Sequence, residues 1–278
     1  MILRRLTEHV RAQNWTAVAL DFVIVVFGVF IGIQVANWNE ERVDRQRETQ
    51  ILRDIATDLA ADINAYEVGI TSSLIRVETI NYIFEETPNA AVSDLMAIDQ
   101  LSIGASWSKE VEEAVRAGSY TEDFNYEEYA AFAKSSLWAS SVLVGNVEPN
   151  NSALDALVNS GDLGILRNKA IVRQLQEYRQ ITSAIEKSQD VTYRPARDAA
   201  IAVGQEFGLS AFGTVNEESF LELVGTEPEL AAALQSQMGW ATGHYLQIAS
   251  ANQSAHTLLR SIQTELGETP TQGGGSNE

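Results

Sequence analysis

One carboxylate stands where carboxylates are costly. Asp21 lies inside the run Thr16–Ala36, TAVALDFVIVVFGVFIGIQVA, whose other strongly polar side chain is Gln34. An ionisable group in a bilayer-spanning helix carries a desolvation cost and is by default a functional candidate. Counted from Trp15, Asp21 sits about 9 Å into the run at helical rise. Steps of four, three, four and three place Asp21, Val25, Gly28, Gly32 and Val35 on one helical face. Gly28 and Gly32 form a GxxxG, which lets helix backbones approach closely. The expected site is therefore a face for association within the membrane. Three uses of the carboxylate stay open: contact with headgroup water or a nearby arginine, a paired or protonated contact with a partner helix, and proton conduction.

Other residue types capable of chemistry are scattered. Glu110, Glu112, Glu113, Glu122, Asp123, Glu127 and Glu128 form an acidic stretch without the alternating ligands and turn glycine of a calcium loop, so a solvated face is expected. On one helix, His244 and His256 would stand about 18 Å apart on different faces and could not share a metal. No zinc-protease, nucleophile-elbow or phosphate-loop motif is present, and Asn159 to Gly164 reads as a turn. Trp107, Tyr120, Phe124, Tyr126, Tyr129, Phe132 and Trp138 either pack a core or line a pocket. No catalytic, cofactor or metal site is expected.

The elements that must hold Asp21 begin with the span. About 20 apolar residues cross a hydrocarbon core, and Trp15 and Trp38 bracket the run as interfacial anchors. The run is long for a signal peptide and no clean small-x-small cleavage site follows it, so an uncleaved anchor over residues 15–38 is expected. Ile2, Leu3, Leu6 and Val10, with arginines between, predict a short interfacial or cytoplasmic helix over residues 1–14. Lys and Arg counts close to the membrane tie, so orientation rests on the bulk: a short tail inside, the large domain outside. The formal charge of −19 over 278 residues falls entirely beyond residue 50, because residues 1–50 carry as many basic as acidic groups. That argues against nucleic acid as a partner. The absence of cysteine excludes disulfides and thiolate metal sites.

Beyond the span the period is helical. Leu52, Ala56, Leu59, Ile63, Tyr66, Ile70 and Val77 form a heptad-like, coiled-coil stripe that begins so near the anchor that one helix is expected to run to about Phe84, with Pro88 stopping it. Residues 89–150 predict short helices. A helix near 152–159 ends at Asn159-Ser160-Gly161. Ile171, Leu175, Tyr178, Thr182 and Ile185 mark another helix that Pro195 breaks or kinks. A third long helix opens on a capping box of Thr226 and Glu229 with Pro228 in its first turn. It continues through Leu230, Leu234, Ala241, Tyr245, Ile248, Asn252, Ala255, Leu259, Ile262 and Leu266, with Asn252 a candidate for setting register. The expected fold is all-α: one transmembrane helix, an elongated extramembrane bundle over residues 39–268, and a disordered tail over 269–278.

The string LRRLTEHVRAQNWTAVALDFVIVVFGVFIGIQVANWNEER resembles the start of a family of uncharacterised bacterial single-pass proteins, and ALVNSGDLGILRNKAIVRQLQEYR resembles its second recurrent stretch. The resemblance covers about a quarter of the chain. It implies a bacterial inner-membrane protein with a helical aqueous region and brings no activity with it. The position of Asp21 is also similar to that in the stator and energy-transducing proteins of proton-driven motors, though the flanking residues and the aqueous domain differ. Two functions follow as expectations. The first is a non-enzymatic, membrane-anchored interaction protein, a homo-oligomer or an accessory subunit of a larger membrane complex. The second is a periplasmic ligand-binding or sensor module acting through a partner, as helical bundles hold ligands between helices. An enzyme working through paired carboxylates is a third and weaker alternative.

Overall fold

A computed structural model describes residues 15–90 and 107–269, the side chains of residues 15–18 and 130–132 excepted, and among them every regular element is helical. The order is α1 (Trp15–Glu86), α2 (Lys109–Ala117), a 3₁₀ turn (Ser119–Thr121), α3 (Glu127–Ser135), α4 (Leu137–Val142), α5 (Ser152–Asn159), a 3₁₀ turn (Asp162–Ile165), α6 (Lys169–Ser188), a π-helical turn (Gln189–Tyr193), α7 (Arg194–Glu206), α8 (Glu217–Thr226) and α9 (Pro228–Leu266). The all-α expectation is borne out. Contacts divide the chain into two units, Met1–Ile51 and Leu52–Glu278. The expected helix over residues 1–14 and the tail from residue 270 lie outside the described residues.

In the first unit, α1 carries an apolar stretch long enough to cross a membrane, and none of it is buried by the rest of the protein. Residues 19–47 are exposed throughout.

The second unit holds the core. Leu52, Ile55, Leu59, Asp62, Ile63, Tyr66, Ser73, Arg76, Val77, Ile80 and Ile83 of α1 are buried at helical spacing, a wider stripe than the expected one. The helix ends two residues before Pro88, whose ring disfavours helical geometry at Thr87. Thr87 Oγ1 donates to the Ile83 carbonyl at 2.6 Å, satisfying one of the last open acceptors.

α6 buries Ile171, Leu175, Tyr178, Thr182 and Ile185, the stripe expected of it. Asn168 caps it by accepting from the backbone N–H groups of Ala170 and Ile171. Pro195 does not break the chain. The preceding turn widens to a π-helix, which relieves the clash between the proline ring and the carbonyl four residues earlier, and the helix resumes as α7.

The capping box expected at the start of α9 is not formed. Thr226 is the last residue of α8, and its hydroxyl donates to the Glu222 and Leu223 carbonyls. Glu227 takes the cap position without a side-chain cap bond. A helix before α9, capped by Asn216, claims the threonine first. At its other end α9 closes with Gly267 in the left-handed region, and Glu268 N–H donates back to the Gln263 carbonyl. α9 packs against α2, α4, α6, α7 and α8. Leu258, not the expected Leu259, is the fully buried leucine near its end.

Two glycines leave room for side chains to close on a helix backbone. A Cβ on Gly204 of α7 would stand 2.1 Å from the Trp138 ring, and one on Gly69 of α1 would stand 2.4 Å from Val147. Trp138 is thereby seated in a core with Ile80, Ile83, Leu137, Val142, Phe220, Val224, Leu230 and Leu234.

Candidate functional site

In the first unit, the five residues expected to form an association face share one unbroken helix. Asp21, Val25, Gly28, Gly32 and Val35 are all exposed. A Cβ built on Gly28 or Gly32 would meet nothing within 4 Å. The face is thus smooth, apolar but for one carboxylate, and uncovered. Trp38 is exposed, as an interfacial ring would be in the absence of lipid. The corresponding role of the Trp15 ring lies outside the described residues.

In the second unit, the expected candidates separate. Trp138 is fully buried in the core, Tyr120 packs on Tyr245 with centroids 4.9 Å apart, and Phe124 stacks on Tyr129 at 5.4 Å. Trp107 lines a different feature, an open groove of about 350 Å³ with Gln174, Glu177, Ser250 and Gln253. These aromatics therefore do not converge on one pocket; the side chain of Phe132 lies outside the described residues. The acidic stretch is spread over α2, a turn and α3, and among the described residues no group of three or more acidic or histidine side chains converges to hold a metal.

Two polar constellations do converge, and neither was singled out from sequence. The first ties α1 to α6 and to the segment before α5. Asp62, only 1% exposed, accepts from Tyr178 Oη at 2.6 Å and from the Asn150 backbone N–H at 2.5 Å. Tyr66 Oη lies 3.0 Å from Tyr178 Oη. Since Tyr178 donates to the carboxylate, the Tyr66 hydroxyl must donate to Tyr178. Burial pushes the Asp62 carboxyl above its ordinary range, opposed by these two hydrogen bonds, and burial likewise pushes both phenols up. Four residues earlier, Asp58 accepts from Asn150 Nδ2, Ser152 Oγ and the Ala153 N–H, filling open donors at the start of α5.

The second constellation lies between α1, the π-turn and α9. Ser73 Oγ is 3.1 Å from His244 Nδ1, and the His244 and Tyr193 rings are 4.7 Å apart. Arg76 stands one turn beyond Ser73 on the same face of α1 and is fully buried. Burial first, then the charge of Arg76, pulls the His244 imidazole down to about 3, so it is neutral at physiological pH. The signal available in the sequence was positional: Asp62 and Arg76 stand inside an otherwise apolar stripe, where a charge needs a reason.

A chain with one uncovered apolar helix of spanning length, followed by a helical unit with its own core, belongs structurally to the class of all-α proteins with a candidate N-terminal anchor. Residues 21–148 match the model of a family described as a family of unknown function (DUF6090), which bears out the resemblance to an uncharacterised family. The match begins at Asp21 and ends before the second stretch on which that resemblance was drawn. No curated protein matches the chain. No solved structure matches it either.

Proposed function

We propose that this protein is a single-pass, membrane-anchored interaction protein of the bacterial inner membrane, with its N-terminus cytoplasmic and its helical unit periplasmic. It acts as a homo-oligomer or as an accessory subunit of a membrane complex, and not as an enzyme. The observation that carries the reading is the uncovered face of Asp21, Val25, Gly28, Gly32 and Val35. A helix that exposes a carboxylate and two glycines to lipid gains nothing from either. Against a partner helix the glycines allow close van der Waals contact, and the carboxylate finds a donor or shares a proton.

The test is the mass of the full chain, extracted in mild detergent from its native membrane, together with the proteins that co-purify. The double variant Gly28→Leu, Gly32→Leu places bulk on the face without lowering the apolarity of the span. Loss of the oligomer or of a stoichiometric co-purifying subunit supports the reading. An assembly of unchanged mass and composition counts against the span as the interface.

A further inference from the structure

Asp21 is the one charged group on a face that is otherwise hydrocarbon and bare backbone. Val25, Gly28, Gly32 and Val35 share that face, and none of them bears a side-chain N–H or O–H. Between Arg11 and Arg42 the sequence contains no Lys, Arg or His. Gln34, the other strongly polar side chain of the run, stands about 20 Å further along the helix axis. α1 is unbroken from Trp15 to Glu86 and Asp21 is exposed on it, so among the described residues this helix holds no counter-charge within reach of the carboxylate.

A second copy does not supply one either. Copies of one chain insert with one orientation, so they meet through this face in parallel. Steps of four, three, four and three are a heptad spacing, and in a parallel heptad seam like positions face each other at the same level. The neighbour of Asp21 is then another Asp21, and two carboxylates stand together in a medium of low dielectric, where their repulsion is strong. A larger ring of copies gathers more of them. A cation from a different chain reverses the sign of that interaction. A base buried in hydrocarbon has the same need for a counter-charge, so pairing the two relieves both.

We propose that this face docks a transmembrane helix of a different protein, one that carries a Lys or Arg side chain at the depth of Asp21. The proposal rests on the association face described under the proposed function, and it narrows that reading to the accessory subunit of a heteromeric complex. Asp21 pairs with the base, and Gly28 and Gly32, which carry nothing within 4 Å of a built Cβ, let the two backbones approach closely beside it.

The full chain is tested in its native membrane with a photo-reactive amino acid in place of Ile24, which lies at the edge of the face one turn from Asp21. Yields are read per chain retained in carbonate-washed membranes, so a variant that inserts poorly does not pass for one that binds poorly. Irradiation is expected to join the chain to a foreign protein whose spanning segment holds a Lys or Arg. Asp21→Asn keeps the shape and removes the charge, and is expected to lower the yield roughly tenfold or more. Asp21→Lys is expected to abolish the adduct, and exchanging the partner's base for Asp is expected to restore it in the Asp21→Lys chain alone. Three results overturn the proposal and leave the association face standing: an adduct between two copies of this chain, a foreign adduct with no base in its span, and a yield that Asp21→Asn does not change. No adduct at all, with an assembly that Gly28→Leu, Gly32→Leu also leaves unchanged, overturns the face itself and the proposal with it.

Discussion

Tyr178 is the residue on which the Asp62 constellation turns. Its hydroxyl is donor to Asp62 and acceptor from Tyr66, so Tyr178→Phe strips two buried groups of a partner at once. Leaving buried polar groups unsatisfied costs about 1–3 kcal/mol each, so urea unfolding is expected to show a loss of about 2–6 kcal/mol. Tyr66→Phe removes only a terminal donor and should cost about 1 kcal/mol or less. Equal losses from the two substitutions would contradict the direction assigned to the chain of hydroxyls. His244 makes a second residue-scale prediction, through pH. Its folded value, about 3, lies below the ordinary histidine value of 6.5. Between those values the unfolded chain binds a proton that the native protein does not, so stability falls as the pH is lowered through that window. Asp62 acts in the opposite sense: its raised carboxyl makes the native state the better proton binder just above pH 3.8. From pH 7 to 5.5 the histidine by itself contributes an expected loss of about 1 kcal/mol. His244→Phe should flatten that slope in urea titrations at the two pH values. An unchanged slope would mean that the imidazole titrates freely.

At the scale of elements, packing distance decides the effect of a glycine, and two glycines give opposite signs. Gly204→Ala drives a methyl group into the Trp138 ring and should destabilise by about 1–3 kcal/mol. Gly239 lies within α9 with nothing within 4 Å of a built Cβ. Gly239→Ala should therefore stabilise by roughly 0.5–1 kcal/mol, the usual gain of alanine over glycine in a helix. Thermal melts of both variants check the contrast, and a stabilising Gly204→Ala would refute the close approach. Such distances have no trace in the sequence, whereas helical period does. The α6 stripe from Ile171 to Ile185, the helix Ser152–Asn159 and the stop before Pro88 were legible because each depends on residues a turn or two apart. The start of α9 was misread because Thr226 and Glu229 have capping spacing, and only the presence of α8 shows that the threonine is already used. Arg76 and Asp62 passed unremarked for a related reason. A charge within a stripe acquires meaning only when the burial of its whole turn is known, and that burial is set by α6, α9 and the π-turn, far along the chain.

For the molecule as a whole, the division of labour follows from where burial stops. Every buried side chain among the described residues belongs to Leu52 or beyond, while residues 19–47 are exposed and include most of the apolar run that is long enough to span a membrane. The acidic excess falls on the same side of that boundary, since residues 1–50 are charge-balanced. Among the described residues the first unit therefore contributes apolar surface and no core, and the second contributes core and solubilising charge. A chain beginning at Glu40 should retain the whole of the second unit's packing. It is expected to remain in the aqueous phase without detergent, to be largely helical by circular dichroism, and to unfold cooperatively with a urea midpoint close to that of the full chain in detergent. The full chain should stay with the membrane through an alkaline carbonate wash, because a span of about 20 apolar residues holds far more strongly than surface charge. The two halves of the experiment separate two errors. If the shortened chain aggregates or melts without cooperativity, the second unit depends on the first for its core, contrary to the burial pattern. If the full chain is released by carbonate, the exposed apolar run of α1 is not an anchor, and its uncovered face must find its partner in water.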